Sequence, residues 1–267
     1  MAMNNPAFRD PAFSARGISG AQDMSAAELE ELYNTPAAER DAGDRMSIED
    51  SLVKSGITFG VLVIGATIGW ITVGIAPWLW IVAGIVGFVL ALVNIFKREP
   101  SPALIVAYSA AQGVFLGGIS AFFEAMYPGI VMQAVLATFA VVGVTLALFA
   151  SGKIRASARA TKVFLIAMIG YALFSLVNVV LMWTGVSTDP WGLRTGVEIF
   201  GIPLGIILGV FAVLLGAYSL VLDFDFIQRG VRNGAPRKYG WTGAFGIMVT
   251  VIWLYLEILR LIAISRD

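Results

Sequence analysis

Three acidic side chains in the last quarter of the chain are the residues best suited to chemistry. Asp223 and Asp225 lie near the end of one long apolar segment, and Glu257 interrupts the next. A carboxylate in a lipid-length segment is costly when it faces the bilayer, so such groups normally face protein or a water-filled cavity. We therefore expect the acids to face the interior, where they could exchange protons or bind cations.

Helical spacing separates the roles of the two aspartates. Residues two apart on a helix point about 200° away from each other, so Asp223 and Asp225 cannot face the same partner. Asp223 shares its face with four small residues, which typically mark the surface that packs against another membrane helix: Gly201, Gly205, Gly209 and Gly216. By the same arithmetic Glu257 shares a face with Gly246 and Thr250. Each helix is thus predicted to carry one acid on its packing face.

The two acids, Asp223 and Glu257, could act together. Carboxylates brought close in a low-dielectric site share a proton and form a sensor near physiological pH. When both are ionised, their oxygens suit Ca²⁺, which accepts carboxylate ligands in flexible geometry. We predict Asp223 and Glu257 as a pH-sensing and calcium-binding pair, with Asp225 as a possible partner of the sensor. No other cofactor is expected.

A second arrangement stays open for the same acids. Asp223 could end its helix beside Arg229 or Lys238, and Glu257 could be neutralised by Arg260 one turn away. Helix register also counts against a close pair, because the two acids lie at unequal distances from the connector between their helices. The difference corresponds to about 10 Å of depth.

Composition places the chain in a membrane. Of 267 residues, 58% are hydrophobic and 13% charged, about half the charged fraction of a typical soluble domain. The absence of His and Cys excludes catalysis by Ser–His pairs or thiols, disulfides, and the usual zinc and haem sites. We expect a protein of the bilayer that is not an enzyme and does not bind nucleic acid.

Seven apolar segments follow an acidic tail, and most are near the length that a helix needs to cross the hydrocarbon. They predict an all-α fold, a seven-transmembrane-helix bundle over 51–267, preceded by a largely disordered cytoplasmic tail over 1–50. Pro203 predicts a kink in the sixth segment. The segments are 52–75, 77–96, 102–127, 130–151, 162–185, 197–222 and 240–264. Glycines four residues apart predict close helix packing in the earlier segments: Gly56/Gly60, Gly65/Gly69 and Gly113/Gly117.

Basic residues predict the orientation, because cytoplasmic loops are enriched in Lys and Arg. Ten of them follow the second, fourth and sixth segments, whereas the alternate connectors carry only Arg194. We therefore expect a multi-pass protein of the cell membrane with a cytoplasmic N-terminus and an outside C-terminus.

The acids and their neighbours resemble a known family. The stretch Leu-Val-Leu-Asp223-Phe-Asp, followed after a basic connector by Trp253-Leu-Tyr-Leu-Glu257, is similar to the last two helices of the Bax inhibitor-1 family, particularly its bacterial YccA/YetJ-like branch. The resemblance covers residues 50–267 and is most specific in the last seventy. Glu257 stands where the family motif has Asp, and the connector before it is about ten residues longer.

The resemblance implies a function. Members of this family are understood as pH-sensitive calcium leak channels in which acid favours the leaking state, and the matching sensor acids are Asp223 and Glu257. A basic residue at the cytoplasmic end of the second helix contacts the sensor in that family, and Lys97 or Arg98 looks similar. A carboxylate that some relatives carry in the second helix is missing, so the resemblance leaves the transported ion open.

Other functions compete with the leak channel. The family also implies a regulator that binds a membrane partner such as a protease, with the N-terminal tail as the candidate binding segment. An intramembrane aspartyl protease would also use two acids on adjacent helices, but the Gly-x-Gly-Asp signature is absent. A retinal protein would need a Lys in the seventh segment, which has none.

Overall fold

The fold is an all-α bundle whose seven long apolar helices are each able to cross a membrane, as the sequence predicts. The computed structural model describes residues 44–187 and 189–266, so the predicted disordered tail lies almost wholly outside the described residues. The helices are α1 (Ile48–Thr72), α2 (Leu79–Phe96), α3 (Pro102–Met126), α4 (Ile130–Ala150), α5 (Ala158–Trp183), α6 (Leu204–Arg232) and α7 (Gly240–Ile264).

Local sequence explains where several helices begin. The hydroxyl of Ser47 accepts a hydrogen bond from the Asp50 backbone N–H, which satisfies a free donor in the first turn of α1. Ser157 caps α5 in the same way. Pro102 occupies the first turn of α3, where its missing N–H costs nothing. These residues fix where α1, α3 and α5 begin.

The sixth helix differs from the predicted segment 197–222 at both ends. Pro203 lies just before α6 rather than inside it, because the preceding chain forms a small hairpin of β1 (Glu198–Ile199) and β2 (Ile202–Pro203). No helix-breaking residue follows until Gly234, whose φ is +62°, so α6 continues ten residues past 222. The predicted kink at Pro203 is therefore wrong, and Asp223 lies inside the helix.

Close glycine contacts join α1 to α3. A Cβ on Gly69 would lie 2.1 Å from the carbonyl oxygen of Val114, and one on Gly117 would lie 1.9 Å from that of Ala66. Two of the three predicted glycine pairs therefore permit direct backbone contact. The third pair, Gly56 and Gly60, faces open space instead.

The last helix, α7, is the centre of the bundle. In its most apolar stretch 61% of the residues are buried, against 11% in α2 and α5. The glycine face of α6 packs on it in an antiparallel register: Gly205 contacts Ile264, Gly209 contacts Leu261, and Gly216 contacts Leu254. This interface positions both predicted acids.

Candidate functional site

Asp223 lies in the α6–α7 interface among neutral groups. Thr250 on α7 donates a hydrogen bond to Oδ2 of Asp223 over 2.7 Å, and the Ser219 and Thr250 hydroxyl oxygens are 3.1 Å apart. Gly246 leaves room for the carboxylate, since a Cβ there would lie 2.6 Å from Oδ1 of Asp223. The predicted interior position of Asp223 is thus observed, and Gly246 and Thr250 are its neighbours on α7.

This cluster consists of oxygen atoms without a compensating cation. In the part of the chain that the structure describes, no Lys or Arg lies within ion-pair distance of Asp223. The described residues also contain no group of three or more acidic, His or Cys side chains that could hold a metal ion. One carboxylate and two hydroxyls suit transient contact with a hard cation better than a resident metal site.

Glu257 has different surroundings. Its residue is 3% exposed, and Nη1 of Arg260 lies 2.9 and 3.1 Å from its two carboxylate oxygens. The indole N–H of Trp253 donates to Oε1 over 3.2 Å. The carboxylate is therefore held by Arg260 of its own helix, as the second arrangement predicted for Glu257. The other half of that arrangement is not observed: Arg229 pairs with Asp225 and Lys238 with Glu99 rather than with Asp223.

The structure does not bring Asp223 and Glu257 together. Among the described residues, no hydrogen bond joins them, and each has its own partners. In the antiparallel register set by the glycine contacts, Glu257 faces the part of α6 near Val213, ten residues from Asp223. That is about 15 Å along the helix. A proton shared directly between the two acids does not fit this geometry, because the register offset is too large.

The suggested partners of the sensor are placed elsewhere. Asp225 forms an ion pair with Arg229 one turn along α6, with 2.7 Å between the charged atoms. Lys97 and Arg98 are exposed just after α2, and no described hydrogen bond or ion pair joins either to Asp223. Arg260 contacts Glu257 but not Asp223. The contact implied for Lys97 or Arg98 is therefore not formed.

Lys54, a buried lysine on α1 that lies close to the start of α7, was not predicted as a functional residue. Lys54 is 7% exposed, pairs with Asp50 and donates to the carbonyl oxygen of Arg237 over 2.7 Å. The Arg237 guanidinium also contacts Asp50 at 2.7 Å. The spacing of four residues between Asp50 and Lys54 could have indicated this pair. The network ties α1 to the connector before α7.

A second missed residue, Arg194, lies at the opposite end of the interface. Asn178 on α5 accepts a hydrogen bond from the Leu193 backbone N–H at 2.7 Å and donates to the carbonyl of Trp191 at 3.1 Å. These bonds hold a helical turn, Leu193–Gly196, against α5. Arg194 is consequently 4% exposed and lines a cavity of about 480 Å³ together with Glu257 and Arg260. The available signal was that Arg194 is the only basic residue in the connectors on its side of the membrane.

The cavity carries net positive charge, which bears on metal binding at Glu257. Two guanidinium groups, of Arg194 and Arg260, line it with one carboxylate. A divalent cation there would meet repulsion as well as attraction, and Arg260 already occupies the Glu257 oxygens. Of the two predicted calcium-contacting acids, the electrostatics favour Asp223.

Comparison with known proteins identifies the family. A search of curated proteins gives no significant match. A model of the family described as Bax inhibitor 1 like matches residues 5–267, which is nearly the whole chain. The match agrees with the resemblance carried by the acids of α6 and α7 and with the seven membrane-spanning helices. The protein therefore belongs to the Bax inhibitor 1 like family.

Proposed function

We propose that the protein is a pH-sensitive cation leak of the cell membrane, with Ca²⁺ as the transported ion and Asp223 as the proton-responsive group. The observation that carries the proposal is the position of Asp223: a carboxylate in the interface of the two family-defining helices, bonded to a hydroxyl and to no cation among the described residues. Family membership supports the membrane setting.

The hydroxyls beside Asp223 give protonation a structural effect. When the carboxylate is ionised, Thr250 donates its one hydroxyl hydrogen to it, and Ser219 must donate to Thr250. When the carboxyl is protonated, it becomes the donor, and Thr250 can turn its hydrogen toward Ser219. A carboxyl among neutral groups has no paired cation that opposes the binding of a proton. Proton binding therefore removes a charge and reverses this chain of hydrogen bonds between α6 and α7.

Glu257 has a different part in this proposal. Its ion pair with Arg260 lies within α7, and we assign the proton response to Asp223 alone because Asp223 has no such cation among the described residues. The direction follows the family resemblance, in which acid favours the leaking state. Loss of the Asp223 charge would weaken the bond with Thr250 and loosen the α6–α7 contact.

Calcium flux in proteoliposomes tests the proposal. Wild-type protein should leak more near pH 6 than near pH 8, and Asp223→Asn, which mimics the protonated state, should leak at the higher level at both. Asp225→Asn is the matched control, because it removes an equivalent charge two residues away on the other face of α6. An unchanged pH response in Asp223→Asn, or the same loss in Asp225→Asn, would refute the sensor role.

The variant Glu257→Gln distinguishes a sensor formed by Asp223 alone from a proton that Asp223 and Glu257 share. If Asp223 acts alone, Glu257→Gln keeps a pH-dependent flux even if its overall level changes. If both variants abolish the response equally, the two acids act as one sensor in a conformation other than this one. Replacement of Ca²⁺ by K⁺ or Na⁺ in the same vesicles measures the ion preference.

The alternative function is a regulator that binds a membrane partner, such as a protease, through the N-terminal tail. The structure indicates where a deletion should end: Met46 is 3% exposed, and its backbone N–H donates to the carbonyl of Ala235. A deletion of residues 1–43 therefore keeps Met46 and its contacts with the bundle. Loss of a cellular effect with unchanged ion flux would favour the partner function.

Two finer assignments accompany the proposal. We place the protein in the bacterial YccA/YetJ-like branch on the acid motifs of α6 and α7. The ten basic residues in the last turn of α6 and after the ends of α2, α4 and α6 support a cytoplasmic N-terminus and an outside C-terminus. Labelling of single cysteines introduced at residues 97 and 200, which lie at opposite ends of the bundle in this topology, tests the orientation.

A further inference from the structure

The cavity between α5 and α7 is a candidate binding site whose charge does not match a cation channel. Its volume of about 480 Å³ lies in the range of small-ligand sites. Arg194 and Arg260 contribute two positive charges and Glu257 one negative charge. The net charge of its lining is therefore +1, and this feature is independent of the proton response at Asp223.

Arg194 has an unused buried donor in this cavity. Its Nη2 donates to the hydroxyls of Tyr171 and Ser175, each over 3.1 Å. Its Nη1 is buried and has no hydrogen-bond partner in the described part of the chain. Buried charged donors are normally satisfied, because an unpaired one loses its hydration without compensation. Nη1 is therefore an unsatisfied charged donor on a side chain that lines the cavity, and this guanidinium can turn to pair with an acceptor that enters.

The nearby acids do not neutralise Arg194. Glu257 is held by Arg260 and Trp253. Asp189, in the same connector as Arg194, accepts from the Trp191 backbone N–H and from the Thr195 hydroxyl. Glu198 is exposed on β1. Among the described residues, Arg194 forms no ion pair, so its charge is available to an anion.

The walls of the cavity indicate what the anion is attached to. One side is formed by apolar side chains of α5, among them Met168, Ala172, Val179 and Met182. Guanidinium groups bind phosphate oxygens with fixed geometry, and apolar walls suit hydrocarbon. We propose that this cavity binds the phosphate group of an anionic phospholipid, with Arg194 as its principal donor and Arg260 at the rim.

Lipid titration of the full-length protein tests the site. Purified protein in a neutral detergent is titrated with phosphatidylglycerol, phosphatidylcholine or inorganic phosphate, and binding is followed by native mass spectrometry and thermal unfolding. Phosphatidylglycerol should bind more tightly than phosphatidylcholine, whose choline would bring a positive charge to a positive site. Arg194→Gln should weaken its binding about tenfold, the effect of losing one charged hydrogen bond. Arg266→Gln, which removes an exposed arginine, should leave binding unchanged.

A second variant tests the cavity independently, in case Arg194→Gln does not fold. Ala172→Trp fills the apolar side of the cavity and alters no charge, and it should also weaken phosphatidylglycerol binding. Leu173→Trp, at an exposed position that does not line the cavity, is its control. Wild-type binding of phosphatidylglycerol without binding of inorganic phosphate identifies lipid as the source, whereas saturable binding of inorganic phosphate identifies a free anion site.

Two results would overturn the proposal. The first is equal affinity for phosphatidylglycerol and phosphatidylcholine with no binding of inorganic phosphate. The second is phosphatidylglycerol binding that Ala172→Trp leaves at the wild-type level. Calcium flux is not a readout of this experiment, so failure of the leak function would leave its outcome interpretable.

Discussion

Asp223 and Glu257 are the same chemical group in one helix interface, but their surroundings differ in charge. Asp223 meets the hydroxyl of Thr250 and a glycine, whereas Glu257 meets a guanidinium and an indole N–H. A carboxylate stabilised by a neutral donor gains modestly from staying ionised, but one paired with an arginine gains much more. Burial alone therefore does not identify a proton-responsive acid. The charge of its neighbours does.

The comparison extends to the two ends of the bundle. At the start of α7, Lys54, Asp50 and Arg237 form a network in which the Lys54 ammonium and the Asp50 carboxylate each have two partners. Near its end, Arg194 keeps a buried donor that has no hydrogen-bond partner among the described residues. A satisfied network fixes helices in place, but an unsatisfied one is suited to bind a ligand.

The largest effect is expected from Arg260→Gln. It leaves the buried Glu257 carboxylate without its cation, which should lower the free energy of unfolding by about 2–4 kcal/mol, somewhat less than a fully buried pair because Arg260 is partly exposed. Unfolding by SDS in mixed micelles measures the change. Arg229→Gln is the matched control: it breaks the ion pair of Asp225 with a more exposed arginine and should cost less than about 1 kcal/mol.

A double variant decides whether the charge pair causes that loss. Glu257→Gln combined with Arg260→Gln removes both charges and should recover part of the stability lost in Arg260→Gln alone. If the double variant is as unstable as the sum of the two single variants, the pair has no coupling energy. The contrast between Glu257 and Asp223 would then rest on packing rather than charge.

A smaller loss is expected from Thr250→Val. The substitution keeps the side-chain shape but leaves the Asp223 carboxylate without its hydroxyl donor, at a cost of about 1–3 kcal/mol. Thr250→Ser keeps the donor and should retain the pH response of ion flux, which Thr250→Val should alter. Equal behaviour of the two variants in flux would show that the hydroxyl does not take part in the proton response.

Asp223→Asn should change stability least among the interface variants. No cation in the described part of the chain loses its partner, and the amide oxygen can still accept from Thr250, so the change should be below about 1 kcal/mol. The same substitution should nevertheless abolish the pH response of calcium flux. A large loss of stability measured by SDS titration would instead assign Asp223 a structural role and weaken the comparison with Glu257.

The sequence correctly predicted a membrane protein, its seven long helices and the interior position of Asp223. Those features depend on hydrophobic runs and on helical periodicity, which are local. It left the separation of Asp223 from Glu257 open: helix register counted against a close pair, but the apolar run stops at 222 whereas α6 continues to Arg232, so the contacts between the two helices were needed to fix the register. The cavity beside Arg194 could not be predicted from the sequence either. It forms because the connector folds back onto α5, and that fold depends on contacts of Asn178 with residues about fifteen positions away.

The smallest effect is expected at Glu99, an acid in water after α2. A hydrogen bond from Lys238, 2.9 Å away, lowers the pKa of Glu99 from its ordinary value of 4.5. A lowered acid pKa stabilises the fold at pH values above 4.5, and the contribution is lost as pH falls through the folded-state value. Wild type should therefore be slightly more stable than Glu99→Gln near pH 7 but not near pH 3, and high salt should abolish the difference. A difference that persisted in acid or in salt would show that packing, rather than charge, sets the role of this acid.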